Sequence, residues 1–383
     1  MGYDIALTPC RSYERQEVEQ ALAEALEATG GLDFVRPGMT VALKVNLVTA
    51  MKPDRAATVH PEVVRALAAE LVRRGAKVIV GDSPGGVFTA PYVRLVYDVC
   101  GMTAAAAEAG ALLNDDFTQA EADFPAAARA RRFPYTAWLG KVDAIIDVCK
   151  LKTHGMMGMS CAVKNFFGAI PGTKKPEFHY QYPRTEDFAH MLVDLYEYFA
   201  PRLCVCDAVV AMEGNGPTQG TPRPMGCLLV SRSGHLLDRT AAGLIGLGTE
   251  DVPTLRAAAE RGLLPAEPAV YGDPAVFAVP DFRTVPTQAA VNFHILGGGP
   301  LGRLSDRVME RVLTARPRLT ASLCVGCGKC AGVCPAEAIS MVQGRPSIRR
   351  DKCIRCFCCQ EFCPVGAMRV GRHPLARLLG GKS

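Results

Sequence analysis

A repeated spacing of cysteines near the C-terminus constrains this chain more than any other feature. The pattern Cys-x2-Cys-x2-Cys-x3-Cys-Pro occurs twice, and the second copy follows the first at an offset of 29 residues, so the region is an internal duplication. In this arrangement three cysteines of one run hold a 4Fe–4S cluster and the fourth reaches across to the other cluster. The spacing therefore predicts two 4Fe–4S clusters. The expected ligands are Cys324, Cys327, Cys330 and Cys363 for the first cluster and Cys353, Cys356, Cys359 and Cys334 for the second.

Other uses of cysteine fit this spacing less well. Zinc sites usually join two cysteine pairs across a longer gap, and disulfide frameworks belong to exported proteins. We expect no export, because the N-terminus has no basic stretch followed by an apolar one. Gly326 and Gly328 would let the backbone approach a cluster. Cys358 breaks the duplication as an extra thiol, and it is predicted to be a partly buried spare cysteine rather than a redox group.

The net charge of +5 hides an uneven distribution. From Leu301 onward the chain has 15 Lys and Arg against 5 Asp and Glu, so the preceding residues are net acidic. A basic tail suggests nucleic-acid binding, but anionic clusters account for part of this charge. No aromatic-rich basic groove is evident, since Trp138 is the sole tryptophan, and nucleic-acid binding ranks last. No apolar run approaches the ~18 residues of a membrane span, and we expect a cytoplasmic protein.

The first 280 residues alternate short β-branched runs with stretches of helical period. This alternation predicts an α/β fold: a layered core domain with a largely parallel sheet, followed by a small α+β ferredoxin-like domain. The predicted strands are 41–45, 77–80, 144–149, 203–209 and 227–230, and the predicted helices are 61–74, 186–199 and 236–247. The predicted domains are the α/β core over 1–280, a linker over 281–317 with a Gly-Gly-Gly-Pro stretch (297–300), a two-cluster ferredoxin domain over 318–372 and a basic tail over 373–383.

Polar residues cluster at the predicted strand ends, where ligands of such sheets bind. Lys44 and Asn46 close the first predicted strand, His60 precedes a helix, and Asp82 and Ser83 follow the second strand. These five are candidate substrate-binding residues. The segment that contains the last two is explained equally well by a plain turn, and it lacks the GxGxxG fingerprint of dinucleotide sites.

The densest polar group of the core domain is Lys150, Lys152, His154, Lys164 and Asn165. The first three follow an apolar run and would emerge together at the end of its strand, beside a flexible loop rich in Gly and Met. Ammonium groups and an imidazole there would bind a carboxylate or a phosphate, and the histidine could transfer protons near neutral pH. The alternative is that the lysines are solvated and the histidine is structural. We take Lys150 as a candidate substrate-binding residue and the other four as candidate catalytic residues.

A second loop, predicted over 207–220, contains the turn-forming sequence Gly-Asn-Gly-Pro. Asp207 at its start could orient a base or bind a cation, and Asn215 lies where the backbone can approach a ligand. A structural hairpin explains the same residues equally well. His179 is a weaker candidate for the site. The remaining cysteines have no ligand spacing and are predicted to be small core residues: Cys10, Cys100, Cys149, Cys161, Cys204, Cys206 and Cys227.

Several segments resemble, in order, those of the domain-of-unknown-function family 362. The core domain carries Lys-Val-Asn (44–46), Thr-Val-His-Pro (58–61), Gly-Asp-Ser (81–83), Lys-Leu-Lys-Thr-His (150–154), Lys-Asn-Phe-Phe-Gly (164–168) and Glu-Gly-Asn-Gly-Pro (213–217). The run Cys-Ile-Arg-Cys-Phe-Cys-Cys (353–359) is similar to that of the family's iron–sulfur branch. The resemblance covers nearly the whole chain and implies an α/β core fused to an electron-transfer module. It implies little about the chemistry.

These features together predict an iron–sulfur oxidoreductase. It would pass single electrons from two clusters to an anionic small molecule or cofactor in the α/β domain, and tethering would keep donor and acceptor at a high effective concentration. Lys152 and Lys164 would clamp the anion, His154 would move a proton, and Asn46 and Asn165 would orient the ligand. An external protein would donate or accept electrons.

Two alternatives stay open. The chain could be an electron-transfer or assembly protein that acts on a protein partner without substrate chemistry of its own. It could also be an enzyme of another class in which His154, His179 and Asp207 bind a further metal. The presence of a flavin and the oligomeric state are left undecided by the sequence.

Overall fold

The computed structural model describes residues 2–285 and 315–371. The first range, which we call the α/β lobe, is built on a nine-stranded sheet, and the second range, the cluster lobe, has two two-stranded sheets and two short helices. Most of the predicted linker, including its Gly-Gly-Gly-Pro stretch, and the predicted basic tail lie outside the described residues. No helix within the two described ranges has the length and apolar character that crossing a bilayer requires.

Strands and helices alternate through the α/β lobe. The strands of the described residues are β1 (Ile5–Pro9), β2 (Thr40–Lys44), β3 (Lys77–Gly81), β4 (Leu112–Leu113), β5 (Gln119–Asp123), β6 (Arg132–Thr136), β7 (Ala144–His154), β8 (Gly158–Ser160), β9 (Leu203–Glu213), β10 (Thr221–Ser231), β11 (Val270–Tyr271), β12 (Arg316–Leu319), β13 (Ile339–Val342), β14 (Arg345–Ile348) and β15 (Met368–Gly371). The helices are α1 (Arg15–Thr29), α2 (Pro61–Arg73), α3 (Ala90–Val99), α4 (Met102–Ala109), α5 (Ala162–Asn165), α6 (Lys175–Gln181), α7 (Thr185–Phe199), α8 (Gly234–Leu244), α9 (Pro253–Glu260), α10 (Lys329–Gly332) and α11 (Cys358–Glu361).

The main sheet has the strand order β11-β1-β10-β9-β7-β2-β3-β4, and β8 pairs with β7. The run from β9 through β7, β2 and β3 to β4 is parallel. Strand β10 is antiparallel to both β9 and β1. The predicted α/β class with a largely parallel sheet is therefore confirmed, and the antiparallel strand β10 makes the sheet mixed.

Helices cover both faces of this sheet. Along β7, Ile146 and Val148 belong to an apolar cluster with residues of α1 to α4, whereas Ile145 and Cys149 belong to a second cluster with residues of α5, α7, α8 and α9. This alternation follows from the two-residue period of a strand. All eleven residues of β7 are buried, and the strand is the centre of a three-layer core.

Strands β7 and β9 are longer than the sequence predicts. Strand β7 continues to His154, so Lys150, Lys152 and His154 lie within the strand and not beyond its end. Strand β9 continues to Glu213, which places Asp207 in mid-strand and leaves a hairpin turn where a binding loop was one alternative. The predicted strands end too early because they contain polar side chains. Lysine and aspartate are usually exposed, so their presence suggested that the buried strand had ended. The predicted flexible loop is also buried and partly forms β8.

The duplication of the cysteine runs reappears in the backbone of the cluster lobe. Gly326 and Gly328 have φ values of +72° and +73°, and their equivalents 29 positions later, Arg355 and Phe357, have φ values of +61° and +62°. Left-handed backbone costs little for glycine but is strained for other residues. Both cysteine runs have this left-handed backbone, so the two loops have the same shape. In the second run Arg355 and Phe357 adopt it although residues with a side chain disfavour it.

Three of the remaining cysteines meet in the core of the α/β lobe. The Sγ atom of Cys161 lies 3.6 Å from that of Cys149 and 3.4 Å from that of Cys206. All three side chains are buried in one apolar cluster, beside residues such as Met157. The three sulfur atoms are close enough together to hold one metal ion, so the role of these cysteines as small core residues stays a prediction.

Candidate functional site

A cavity lies where the cluster lobe meets the α/β lobe, and its empty space of about 700 Å³ includes space open to solvent. Its wall on the α/β side is formed by residues that follow β2 and β3, by the end of β7, and by the segments around α5 and α6. Its wall on the other side is formed by Cys358, Glu361 and Phe362. We call this space the interlobe pocket. Most of the residues predicted for a site come together here: Asn46, Asp82, Ser83, Lys152, His154, Lys164, Asn165 and His179.

Three lysines line the interlobe pocket: Lys152, Lys164 and Lys175. Lys152 is 2% exposed, and its Nζ donates to the carbonyl oxygen of Ala57 at 2.7 Å. Burial lowers the pKa of Lys152 to about 7. Burial likewise lowers the pKa of Lys175 to about 8 and lowers the pKa of Lys164. Such lysines gain from an anionic ligand, which would restore the stabilisation that water no longer supplies.

His154 links the two lobes. Its Nδ1 accepts from the backbone amides of Met156 and Met157 at 3.1 and 3.2 Å, and its Nε2 lies 2.8 Å from Oε1 of Glu361. Because Nδ1 is an acceptor, the ring proton is on Nε2, against the carboxylate. Burial lowers the pKa of His154 to about 4, so the ring is neutral at pH 7. Burial opposes ionisation of Glu361, but the nearby His154 and Lys164 lower the pKa of this carboxyl to about 2.

Two further polar side chains of the pocket wall are buried without a hydrogen-bond partner among the described residues. They are Oγ of Ser83 and Nδ1 of His179. His179 stacks on Phe188, with ring centroids 4.4 Å apart, and burial lowers its pKa to about 3. Buried polar atoms normally find partners, so both atoms are available to a ligand.

A hydrogen-bonded network lies behind the pocket wall. Lys44 forms a 2.8 Å ion pair with Asp82 and donates to Oδ1 of Asn165 at 3.1 Å. Asn165 in turn donates to Asp147 at 2.6 Å. Gly168 lies against this pair, and a Cβ there would come within 2.5 Å of Lys44 Nζ. The network therefore holds Asn165 and Asp82 in place, and Lys44 supports the pocket without lining it.

Four predicted site residues lie elsewhere. Lys150 forms a buried 2.8 Å ion pair with Asp207 and donates to the hydroxyl of Tyr13. His60 stacks on Tyr13 and caps α2, because its Nδ1 accepts from the amide of Glu62. None of these residues lines the interlobe pocket. Lys150 and Lys152 are two residues apart on β7 but have different partners, because Lys150 pairs with Asp207 whereas Lys152 donates to the carbonyl of Ala57.

Asn215 is the fourth predicted site residue that lies outside the interlobe pocket. It contributes to the contact between the two lobes. Gln360 is fully buried, and its Nε2 donates to the carbonyl oxygens of Asn215 and Gly216 at 2.9 and 3.0 Å. Nearby, Thr218 donates to the carbonyl of Glu361 at 2.9 Å, and Gln219 Nε2 donates to the carbonyl of Cys363 at 3.0 Å. The turn between β9 and β10 is therefore a docking element for the cluster lobe.

The sequence reasoning missed Lys175, Glu361 and Phe362. Lys175 lies in a lysine pair that resembles any solvated surface segment, so no local signal marks it. Glu361 and Phe362 lie between two predicted cluster ligands, and their proximity to Cys363 was a usable signal. Their contact with His154 and Gly85 depends on how the lobes dock.

The cysteines of the cluster lobe suit iron–sulfur clusters better than a single metal ion. One cavity, partly open to solvent, is lined by Cys324, Cys327, Cys330 and Cys363, the four ligands predicted for the first cluster. Among the described residues, no three of the eight predicted ligand cysteines bring their sulfur atoms within 4.8 Å of one another. A tetrahedral zinc site with Zn–S of about 2.3 Å needs sulfur atoms about 3.8 Å apart. The described cysteines of the cluster lobe are therefore not arranged as a tetrahedral zinc site.

Backbone amides also point at the predicted ligands. The amide of Ala338 donates to Sγ of Cys334 at 3.3 Å, and the amide of Ala367 donates to Sγ of Cys363 at 3.2 Å. The two contacts are equivalent under the 29-residue offset. Amide hydrogen bonds to cysteine sulfur stabilise the anionic form of a cluster and tune its potential.

Comparison with known proteins agrees with these features. Residues 41–243 match the model of a domain of unknown function, DUF362, and residues 316–364 match a 4Fe–4S dicluster domain. The chain belongs to the DUF362 family. It is 33% identical over 278 residues to a thylakoid-associated protein of Synechocystis sp., a match that covers 69% of this chain and 81% of that protein. This DUF362 chain thus carries a 4Fe–4S ferredoxin-type domain, which indicates electron transfer.

Two solved structures are more distantly similar. One is the lactate racemase apoprotein of Thermoanaerobacterium thermosaccharolyticum, with 9% identity and a TM-score of 0.36 over 58% of this chain and 54% of that one. The other is a protein of Thermotoga maritima, with 12% identity and a TM-score of 0.34 over 55% of this chain and 53% of that one. The chain spans about half the length of each of these structures.

Proposed function

We propose that this DUF362 protein is an iron–sulfur oxidoreductase whose substrate is an anionic small molecule held in the interlobe pocket. Two 4Fe–4S clusters, held by the eight cysteines of the two runs, would supply or accept electrons one at a time. The observation that carries the proposal is the composition of the pocket wall, because Lys152 and Lys164 face the segment Cys358–Phe362 of the cluster lobe across one cavity. That segment contains Cys359, a predicted ligand of the second cluster, and adjoins Cys363, a predicted ligand of the first.

The charge of the pocket favours a dianion. Both histidines of the wall are neutral at pH 7, since their pKa values are about 4 and about 3. The cations in or directly behind the wall are Lys44, Lys152, Lys164 and Lys175, and the anions are Asp82 and Glu361. When all four lysines are protonated, their charge exceeds that of these two anions by two. A dicarboxylate or a phosphate monoester would neutralise this excess, and the apolar rings of Phe167 and Phe362 leave room for an uncharged body.

The lysines and His154 would have different tasks. His154 already uses Nδ1 for two backbone amides and turns Nε2 toward Glu361, so it serves as a positioning residue that holds the Glu361 carboxylate. Lys152 is the better proton donor, because a group with a pKa of about 7 gives up its proton readily near neutral pH. Lys164 and Lys175 would hold the second charge of the ligand.

Sulfate binding tests the proposed pocket without knowledge of the natural substrate. We expect Lys152→Met and Lys164→Met each to weaken sulfate binding roughly 10- to 100-fold, the effect of losing one charge-assisted hydrogen bond. Lys174→Met is the matched control, because Lys174 is an exposed neighbour that pairs with Glu177 outside the pocket. Titration calorimetry on anaerobic, iron-loaded protein measures the affinities. Equal binding by the control and the two pocket variants would place the anion elsewhere.

Redox chemistry requires a second measurement. Protein reduced with dithionite and freed of excess reductant is mixed with a panel of dicarboxylates and phosphate monoesters, and reoxidation is followed by visible absorbance. We expect either the dicarboxylates or the phosphate monoesters to reoxidise the clusters of the wild type. The same compounds should reoxidise Lys152→Met much more slowly. If every small molecule fails and only a protein carrier reoxidises the clusters, the chain is an electron-transfer protein without substrate chemistry.

Sulfate binding should also weaken as the pH rises. The pKa values of about 7 for Lys152 and about 8 for Lys175 are lowered, so their positive charges are present at pH 6 and are lost by pH 9. Glu361 stays ionised over this range, and both histidines stay neutral. Because sulfate remains a dianion, its affinity should fall by roughly tenfold or more between these pH values. A flat profile for the wild type would contradict the assignment of these lysines to the site.

A further inference from the structure

We propose that the outer face of the cluster lobe, around Val325, Met341, Val342 and Val365, docks a small acidic one-electron carrier protein. We call these four side chains the outer patch. The inference rests on the proposed function, since it identifies where electrons would be exchanged with the protein that supplies or removes them. It concerns a different surface from the interlobe pocket, and it is tested separately.

The outer patch is unusually apolar for a surface. Val325 is 66% exposed and Val342 is 55% exposed. Among the described residues, five of the eleven exposed large apolar side chains lie in the cluster lobe, although this lobe is much the smaller of the two. Isolated exposed apolar residues need no explanation, but a group of them on a small lobe is typical of a binding surface.

The position of the outer patch suits electron exchange. Val325, Met341 and Val365 line the same cavity as the four cysteines predicted for the first cluster. Cys327 of this set is exposed, whereas Cys356 and Cys359 of the second set are buried. The segment after Cys359 faces the interlobe pocket. One cysteine set is therefore accessible to a partner at the outer patch, and the other leads toward the pocket.

The charge around the outer patch indicates the net charge that a partner should have. Lys329 is exposed and lines the same cavity, and Arg345 is exposed and pairs with Val342 across β13 and β14. Residues 315–371 contain nine Lys and Arg against three Asp and Glu, and one of these acids, Glu361, faces the interlobe pocket. This excess of six positive charges exceeds the charge of about −4 that two oxidised clusters would carry. A basic rim around an apolar centre favours an acidic partner, whose approach it accelerates.

The same charge argues against two other occupants. A second copy of this chain would bring one basic rim against another, and like charges at an interface are costly. The chain after the described residues, 372–383, has Lys and Arg but no Asp or Glu, so it would also be repelled. An acidic carrier fits both the apolar centre and the rim. The exchange needs no proton or bond change, since one electron leaves the reduced carrier and one 4Fe–4S cluster gains it, or the reverse.

Binding to carriers of opposite charge tests the proposal. The probes are an acidic plant-type 2Fe–2S ferredoxin and the basic carrier cytochrome c, each titrated against anaerobic, iron-loaded full-length protein at low and high salt. We expect the ferredoxin to bind and cytochrome c not to bind, with affinity for the ferredoxin falling as salt increases. The double variant Lys329→Glu/Arg345→Glu should weaken ferredoxin binding at least tenfold at low salt and flatten the salt dependence. Val325→Asp/Val342→Asp should weaken it similarly.

Matched controls are Lys174→Glu and Val276→Asp, which change an exposed lysine and a 72% exposed valine of the α/β lobe. Both should bind the ferredoxin like the wild type. Unchanged binding by the outer-patch variants would overturn the proposal, as would preference for cytochrome c. A dimer that Val325→Asp/Val342→Asp dissociates would show a second copy as the occupant, and gain of binding on deletion of 372–383 would show that this segment covers the patch.

Failure of this proposal is distinguishable from failure of the proposed function. Dithionite reduces clusters without a docked protein, so Val342→Asp and Arg345→Glu, which lie outside the lining of the first-cluster cavity, should keep wild-type sulfate binding and wild-type reoxidation by the small-molecule panel. Loss of ferredoxin binding with these two properties intact supports the outer patch alone. If Lys152→Met binds the ferredoxin normally but has lost sulfate binding, the interlobe pocket and the outer patch are independent sites.

Discussion

Replacing Cys359 by alanine should remove about half of the iron from the protein. A two-cluster ferredoxin domain holds about eight irons, and loss of one of four thiolate ligands releases one cube of about four. Iron analysis and visible absorbance of anaerobically purified protein measure the effect. The matched control is Cys358→Ala, which changes the adjacent cysteine: Cys358 lines the interlobe pocket and has no place in the duplicated spacing. The control should keep about eight irons.

Double variants test how the two runs share their ligands. If Cys334 serves the second cluster, Cys334→Ala/Cys359→Ala removes two ligands of one cube and should still leave about four irons. Cys363→Ala/Cys359→Ala removes one ligand from each cube and should leave almost none. The opposite order of iron contents would mean that each run binds its own cluster without crossing. Zinc in place of iron in the wild type would overturn the whole assignment.

The second large effect is expected on stability. Lys150→Met should lower the free energy of unfolding by about 3–5 kcal/mol, because it leaves the Asp207 carboxylate buried without its cation. Both side chains of this ion pair are 1% exposed or less. The control Lys174→Met removes one partner of an exposed pair, and it should change stability by less than about 0.5 kcal/mol. Urea denaturation under anaerobic conditions measures both.

The same variant separates a structural role from a role in binding. The fraction of Lys150→Met that folds should bind sulfate like the wild type, because Lys150 does not line the interlobe pocket. Lys150→Met/Asp207→Leu should recover part of the lost stability, since a buried pair that is replaced entirely by apolar groups leaves no charge unpaired. A stable Lys150→Met protein that has lost sulfate binding would instead assign Lys150 to the pocket.

Several elements followed from the sequence because their signals are local. The strands β2 and β3 and the helix α2 lie within a residue or two of their predicted bounds, since the period of their apolar residues and the proline in the first turn of α2 depend only on neighbours in the chain. The end of β7 was missed for the opposite reason. Its buried polar residues are stabilised by contacts with Ala57, Tyr13 and Asp207, which are distant in sequence.

The candidate site was predictable only as a set of residue types. Clustering of Lys152, His154 and Lys164 in sequence indicated an anion site, and the structure places all three in one pocket wall. Nothing local distinguished Lys152 from Lys150, although the first lines the pocket and the second is buried in an ion pair with Asp207. That distinction depends on which distant residues each lysine meets, Ala57 for Lys152 and Asp207 for Lys150.

Cysteine spacing and apolar periodicity by themselves determined the ferredoxin-type domain and the α/β class, because ligand geometry and the period of helices and strands are properties of short segments. Only the tertiary structure decided that Glu361 meets His154, that Lys175 joins the pocket, and that Gln360 fastens the lobes through Asn215. These contacts join residues more than a hundred positions apart in sequence or in separate lobes. They depend on the path of the whole chain, and no pattern within one segment records that path.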